Sequence, residues 1–205
     1  MPSTVSIKRG EIMTKNAQYV LERFMEDTAH HKMEVLIDNG LYRHLKFTNN
    51  GSSIYRFDIH TWPGFLCVCG DMGTYVFQRL DDMFEFFRST DATLRINPHY
   101  WAEKCQAHGH EAVERYDLDA FTERINEWME DWESEEAKNE VREQVLPYAD
   151  AGESEAVRAA MDFDHDGFQF QDFWECNLKT WTFHFLWICY AIVWGIKQYD
   201  SNQRV

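Results

Sequence analysis

Apolar and polar residues alternate with a period of two between residues 43 and 78, a pattern typical of β-strands that bury one face. The alternation predicts strands over Arg43–Thr48, Ile54–Thr61, Phe65–Cys69 and Thr74–Phe77. Between them lie turn segments: Asn49-Asn50-Gly51, Pro63-Gly64 and Gly70-Asp71-Met72-Gly73. We therefore expect a small antiparallel β-meander with one face covered by helices.

The flanking segments have helical periodicity instead. Residues 1–40 are predicted to form helices, one from Thr14 to Asp27 and a shorter one from Met33 to Ile37. Further helices are expected to begin at Asp82, at Asn97 before Pro98, the latter running through Cys105, and at Asp117 or Asp119.

The last predicted helix contains an apolar run from Trp181 to Ile196, which is shorter than the roughly 20 residues of a membrane span. A helix that is apolar all round is typical of a protein core. The predicted fold class is therefore α+β. We expect a single domain over residues 1–205, in which the meander at about 43–78 packs against several helices and residues 81–205 are all helical, ending in a buried C-terminal helix.

Composition limits the class of protein. Hydrophobic residues make up 44% of the chain and aromatic residues 16%, which excludes a disordered chain. Five cysteines and an N-terminus without an apolar signal segment indicate a reducing, cytoplasmic setting with free thiols.

The negative charge is concentrated in one segment. The net charge of the chain is −15, and residues 111–155 contribute 16 acidic and 4 basic residues, a net −12. Such a segment disfavours direct nucleic-acid binding and membrane contact and favours a protein partner with a basic surface.

A long helix over residues 117–146 is expected to carry these acids on the face opposite its apolar stripe. Like charges three and four residues apart on a helix are destabilising, so a cluster without interspersed lysines indicates a binding role. A solvated outer face is the alternative interpretation. The partner-binding candidates are Glu127, Glu130, Asp131, Glu133, Glu135 and Glu136.

One group of residues has the composition of an acid–base site. His60 is expected beside Asp58 on the polar face of its strand, with Asp71 across the turn and Trp62 close by. A histidine oriented by a carboxylate is a common acid–base arrangement. Because no nucleophile motif accompanies it, a structural hydrogen bond is the alternative, and we assign no catalytic residue.

Two further motifs suggest metal binding but lack essential ligands. Asp162–Gly167 begins like a calcium loop, but Gln169 and Phe173 occupy the positions of the aliphatic residue and the bidentate glutamate, so we expect a turn. Cys67 and Cys69 lie two residues apart on a strand and have no second ligand pair, so we expect core cysteines. The sequence therefore predicts no metal and no cofactor.

Four blocks of the chain resemble a family of small bacteriophage and prophage proteins. They are Phe57–Gly64 (FDIHTWPG), Gly70–Phe77 (GDMGTYVF), Ile96–Lys104 (INPHYWAEK) and Tyr190–Ile196 (YAIVWGI). The resemblance implies a viral or mobile-element origin and a location in the host cytoplasm, and it transfers no activity or functional residue.

These observations lead to ranked hypotheses. The first is an acidic, non-enzymatic phage protein that occupies a basic nucleic-acid-binding surface of a host defence system, of CRISPR–Cas or restriction type. It rests on charge and on analogy with small acidic phage proteins. The second is a small enzyme or a binder of a nucleotide or signalling molecule on the polar face of the meander, and a virion role is a third. The sequence does not define an oligomeric state.

Overall fold

A computed structural model describes residues 4–89, 93–109 and 111–203, with side chains from Asn16 onward. It confirms the α+β class, since the described residues form a six-stranded antiparallel sheet and seven α-helices. They fall into two compact units: the first contains the chain up to Val113 and from Trp181 onward, and the second is Glu114–Thr180. Because two such units can belong to one domain, the single domain over residues 1–205 stays a prediction.

The sheet of the first unit is a meander in which every strand pairs with the next one along the chain. Its strands are β1 Lys32–Asn39, β2 Tyr42–Thr48, β3 Phe57–Trp62, β4 Phe65–Gly70, β5 Gly73–Gln78 and β6 Cys105–Gly109. Short turns fix the hairpins: Pro63 and Gly64, with φ +85° at the glycine, connect β3 to β4. The four predicted strands are confirmed, although β3 begins at Phe57 rather than Ile54.

The predicted helix over Met33–Ile37 is wrong, because these residues belong to β1. Asn39 pairs with Tyr42, so Gly40, with φ +62°, lies in a two-residue hairpin loop and does not cap a helix. Val35 and Ile37 are β-branched, which favours a strand once β2 is available for pairing. The periodicity alone did not distinguish the two states.

The helices are α1 Thr4–Asp27, α2 Met83–Phe87, α3 Pro98–Ala102, α4 Leu118–Glu130, α5 Glu135–Gln144, α6 Glu153–Asp162 and α7 Phe183–Asn202. The side chains of Asp82, Asn97 and Asp117 accept hydrogen bonds from first-turn N–H groups, which confirms these residues as N-caps. Helix α3 ends before Cys105, which instead begins β6.

Helix α7 packs on the inner face of the sheet, and the predicted buried C-terminal helix is confirmed. Gly195 permits this close approach, since a Cβ atom there would lie 2.6 Å from Ile59 Cδ1 and 3.1 Å from Phe47 Cζ. Large rings fill the core around it, including Phe24, which meets Trp187 edge to face at 5.0 Å. Among the described residues, none of the helices has both the length and the apolarity needed to cross a membrane.

The second unit has a separate hydrophobic core, lined by Phe121, Ile125 and Phe173 among others. It contains the strands β7 Glu114–Tyr116, β8 Asp164–His165 and β9 Phe168–Gln169, and β7 pairs with β10 Lys179–Trp181, which ends at the first residue of the returning first-unit segment. The prediction that residues 81–205 are all helical is therefore wrong in detail. These strands are only two or three residues long, too short for alternation to be visible in the sequence.

Candidate functional site

A cluster of polar side chains lies on the outer face of the sheet, opposite the helices. On β3, Asp58 and His60 alternate with the core residues Phe57 and Ile59 and therefore point to the other face. His44 of β2 is the direct cross-strand neighbour of His60. Main-chain pairing of β2 and β3 thus fixes the spacing of these three side chains.

Asp58 is the buried member of this cluster, with a side chain only 4% exposed. Its Oδ2 lies 2.8 Å from His44 Nε2, and its Oδ1 accepts a hydrogen bond from Arg56 Nε at 2.9 Å. Burial by itself raises the pKa of Asp58, but the hydrogen bonds from His44 and Arg56 outweigh it and hold the pKa below its ordinary value. Asp58 is therefore an ionised carboxylate at neutral pH.

The structure brings Asp58 and His60 to one face, as predicted, but in a different arrangement. The hydrogen-bond partners of Asp58 are His44 and Arg56, so the carboxylate orients His44 rather than His60. The rings of His44 and His60 lie with their centroids 4.0 Å apart. Sequence reasoning missed His44, although alternation along β2 places it on the face opposite Leu45. The register that pairs His44 with His60 depends on the loop between β2 and β3, and the sequence pattern does not define the conformation of that loop.

The two thiols of β4 complete this face. Cys69 is the cross-strand neighbour of Asp58 and Cys67 that of His60, and both are half-buried. The expectation of core cysteines is wrong, because Leu66 and Val68 take the core positions of β4. A hydrogen bond from Cys67 lowers the pKa of Cys69 to about 6, with burial opposing and His60 assisting. The same hydrogen bond, together with burial, raises the pKa of Cys67.

Asp71, the third acid–base candidate, has a structural role. Its Oδ2 accepts a hydrogen bond from the Tyr55 main-chain N–H at 2.8 Å, and its own N–H donates to Arg56 O at 2.9 Å. These bonds hold the loop before β3, where Tyr55 has φ +54°. Trp62, at the other end of β3, stacks on Phe65 with ring centroids 5.3 Å apart.

His44, Asp58 and His60 also have the spacing of metal ligands. One donor atom from each lies within 4.8 Å of the other two. Among the described residues, this is the one group of at least three His, Cys, Asp or Glu side chains with such a spacing. The sequence predicted no metal ligands, because His44 comes from a different strand. Two imidazoles and one carboxylate suit first-row transition metals.

The second unit carries most of the negative charge. Glu114–Thr180 contains 20 acidic and 6 basic residues, a net charge of −14 out of the −15 of the whole chain. The acidic segment predicted from the sequence thus belongs to a compact unit with a hydrophobic core of its own.

The single acidic helix predicted over residues 117–146 is wrong, since the segment forms α4 and α5. Ser134 is the N-cap of α5, because its hydroxyl oxygen accepts a hydrogen bond from the Ala137 N–H. The six acidic candidates therefore span the junction. Glu127 and Glu130 end α4, Asp131 and Glu133 lie in the connection, and Glu135 and Glu136 begin α5.

The six candidates differ in how free they are to bind a partner. Glu127 is half-buried and pairs with Arg124 at 3.2 Å, and Glu135 pairs with Lys138 at 3.1 Å. The other four are exposed and form no ion pair with any described residue: Glu130, Asp131, Glu133 and Glu136. These four define the acidic face referred to below.

One tryptophan of the second unit is unusually exposed. Trp128 and Trp132 pack against the core residue Phe170, whereas Trp174 is 62% exposed. Trp174 lies in a short 3₁₀ turn, Phe173–Glu175, followed by Cys176. The ring of Phe173 meets those of Phe121 and Trp128 with centroids 5.7 and 6.2 Å apart, which places this turn alongside α4.

The calcium-like segment is a β-hairpin. Asp166 and Gly167 have φ values of +52° and +86°, as in the Asp-Gly turns that join two short strands. Asp164 accepts hydrogen bonds from Gly167 N–H at 3.1 Å and Gln169 Nε2 at 2.7 Å. Its carboxylate therefore stabilises the turn, in agreement with the sequence interpretation.

Comparison of the chain with protein-family models, with curated proteins and with solved structures finds no match.

Proposed function

We propose that the protein is a binding protein that docks its acidic unit, Glu114–Thr180, onto a basic surface of another protein. The observation that carries this proposal is the placement of −14 of the net charge of −15 in one compact unit. Such a field attracts basic surfaces and repels nucleic acid and anionic membranes.

Trp174 supplies the apolar contact that a charged surface lacks. Complementary charge mainly raises association rates, whereas buried aromatic anchors account for much of the affinity of protein interfaces. The turn that carries this exposed tryptophan packs on α4 through Phe173, whose ring contacts that of Trp128, two residues before Glu130. In the proposed complex, Trp174 inserts into the partner and the acidic face sets the orientation.

The partner class in this proposal is a nucleic-acid-binding protein. Basic surfaces that bind phosphates present arginine and lysine side chains, and the carboxylates of the acidic face are their natural competitors. The resemblance to phage proteins adds a host defence system of CRISPR–Cas or restriction type as the target, with inhibition as the result.

The test is competition with DNA for purified CRISPR–Cas effectors and restriction endonucleases. Addition of the protein is expected to displace duplex DNA from one of them. The affinity should fall by roughly tenfold or more between about 50 and about 200 mM salt. Binding that is insensitive to salt, or failure to displace DNA from any of these proteins, would contradict the proposal.

Matched variants separate the acidic face from the overall charge. Reversal of the acidic face to lysine (E130K/D131K/E133K/E136K) is expected to abolish displacement. The control reverses four exposed acids of the first unit (E22K/E34K/D81K/E103K) and changes the net charge equally. Trp174→Ala should weaken binding about 30-fold, the loss typical of a central aromatic anchor. Equal effects of the two reversal variants would show that charge acts without a defined face.

The cluster on the sheet favours a second candidate function, a small enzyme or a binder of a small ligand. The specific observation is the buried Asp58, which pairs with His44, together with the His60 ring, whose centroid lies 4.0 Å from that of His44. Measurement of ligand-induced thermal stabilisation across nucleotides and dinucleotides, for the wild-type protein and for His60→Ala, tests it. Stabilisation that His60→Ala retains would contradict this candidate.

A further inference from the structure

The outer face of the sheet brings together two kinds of metal-binding side chain. Imidazoles come from His44 and His60, and a carboxylate comes from Asp58. These are ligand types that zinc uses in proteins. From this juxtaposition we propose that His44, Asp58 and His60 bind one Zn²⁺ ion, with a water molecule as the fourth ligand.

The spacing needs little adjustment to hold an ion. Ligand atoms of a tetrahedral zinc site lie roughly 3.4 Å apart, given metal–ligand distances of about 2.1 Å. The donor atoms of His44, Asp58 and His60 already lie within 4.8 Å of one another, and His44 Nε2 lies 2.8 Å from Asp58 Oδ2. An ion among these three donors therefore requires the widest separations to shorten by about 1.4 Å at most.

The fourth ligand of this site comes from solvent. Cys69 lies opposite Asp58 on the neighbouring strand, but its sulfur is not among the donor atoms that lie within 4.8 Å of one another. Two histidines, one carboxylate and a water molecule form a typical ligand set of zinc sites that keep an open position. Imidazole ligands favour zinc over the harder oxygen-binding cations, and zinc exceeds Fe²⁺ in affinity for such a ligand set.

Metal binding is also supported by the residues around the three ligands. Arg56 Nε donates to Asp58 Oδ1, which orients the carboxylate and leaves Oδ2 directed towards His44. Hydrogen bonds of this kind around a metal site typically tune affinity by 10–100-fold. His44 has a side chain 23% exposed, so an ion can enter from solvent.

This inference gives the second candidate function a chemical class and rests on the same sheet face. Ion binding is measured directly, so its failure is distinct from a failure to find a ligand or an activity. The alternative is that His44, Asp58 and Arg56 form only a structural hydrogen-bond network, which needs no ion.

Calorimetric titration of the metal-free, full-length protein with Zn²⁺ tests the site. One ion per chain is expected, and His44→Asn and His60→Asn should each weaken binding by at least about 100-fold. The matched control is His108→Asn, an exposed histidine on β6 of the same sheet, which should bind as the wild type does. Absence of a one-to-one site in the wild type, or unchanged binding by both site variants, would overturn the proposal.

Cobalt spectroscopy of the wild-type protein tests the metal site even if a histidine variant fails to fold. Bound Co²⁺ should give the intense visible bands of a tetrahedral site without a thiolate charge-transfer band in the near ultraviolet. Cys69→Ser should leave this spectrum unchanged. Weak octahedral bands in the wild type would overturn the site, and a charge-transfer band that Cys69→Ser removes would overturn water as the fourth ligand. Displacement of Zn²⁺ by equimolar Fe²⁺ would overturn the choice of zinc.

Discussion

His44 Nε2 lies 2.8 Å from Asp58 Oδ2, a contact that joins β2 to β3 on the face of the sheet opposite the core. The two residues are 14 positions apart in the chain, and antiparallel pairing of the strands brings them together. A second hydrogen bond, from Arg56, leaves neither oxygen of this buried carboxylate unpaired. Asp58, His44 and Arg56 thus form a polar network on one side of a packed sheet, in which both carboxylate oxygens are paired.

Replacement of this carboxylate should be costly even without any ion. Asp58→Asn removes the negative charge that both His44 and Arg56 contact, and we expect the free energy of unfolding to fall by about 2–3 kcal/mol. Urea denaturation of the metal-free protein at neutral pH measures this. Glu130→Gln, a neutralisation at an exposed site, is the control and should change stability by at most about 0.5 kcal/mol. Equal effects of the two changes would show that the Asp58 hydrogen bonds contribute nothing.

Local signals accounted for the parts of the fold that were predicted correctly. The strands from β2 to β5 have alternating side chains and turn residues between them, and the caps Asp82, Asn97 and Asp117 are visible as residue types at helix starts. Strand β1 was missed, because a short apolar run fits a helix or a strand equally well until its pairing partner is known.

The candidate sites were harder to predict because they depend on register and on a helix break. His44 joins Asp58 only through the pairing of β2 with β3, which depends on the conformation of the intervening loop. The break before α5 did leave a signal, since Ser134 followed by Glu135 and Glu136 is a typical N-cap with acids in the first turn. The exposure of Trp174 has no signature in the sequence.

Gly70 is the glycine whose replacement should damage the sheet most directly. A Cβ atom there would lie 2.1 Å from Arg56 O and 2.8 Å from Phe57 Cα. These main-chain atoms cannot move aside cheaply, because Phe57 begins the paired strand β3 and Arg56 O accepts a hydrogen bond from Asp71 N–H. We expect Gly70→Ala to lower the free energy of unfolding by at least about 3 kcal/mol. Gly64→Ala is the matched control: its φ is +85° but no atom lies within 4 Å, so a cost of only about 1 kcal/mol is expected. Similar urea midpoints for the two variants would contradict the steric argument.

His31 should make the first unit sensitive to mild acid. Burial lowers the pKa of His31 despite a hydrogen bond to Tyr55 O and the nearby charge of Asp27. Its Nδ1 is buried without a hydrogen-bond partner among the described residues, so a proton added there finds no acceptor. In the unfolded chain, His31 binds a proton near pH 6.5, whereas in the folded protein it does so only at lower pH. The free energy of unfolding therefore decreases as the pH falls below about 6.5.

Denaturation curves between pH 7.5 and about pH 5 test this assignment. The wild-type protein should lose stability over this range, and His31→Gln should lose less, because its side chain does not titrate. His30→Gln replaces the exposed neighbouring histidine and should keep the wild-type pH dependence. A His31→Gln profile that parallels the wild type would show that other groups cause the loss.

The acidic residues at the junction of α4 and α5 should have opposite effects on stability, according to their position. Glu135 and Glu136 lie in the first turn of α5, where the helix dipole stabilises negative charge, whereas Glu130 and Asp131 lie at the end of α4, where it does not. We expect E135Q/E136Q to lower, and E130Q/D131N to raise, the free energy of unfolding by about 0.3–1 kcal/mol at low salt. The same urea series in 1 M salt is the control, because screening should remove both effects.

This pair of measurements also bears on the binding proposal. If E130Q/D131N is more stable than the wild type, these two acids are kept at a cost to the fold, and binding rather than folding explains their presence. If E130Q/D131N is less stable, they contribute to the fold itself, and their position at the helix end no longer argues for a partner. Glu135 and Glu136 cannot make this distinction, since the start of α5 favours acids with or without a partner.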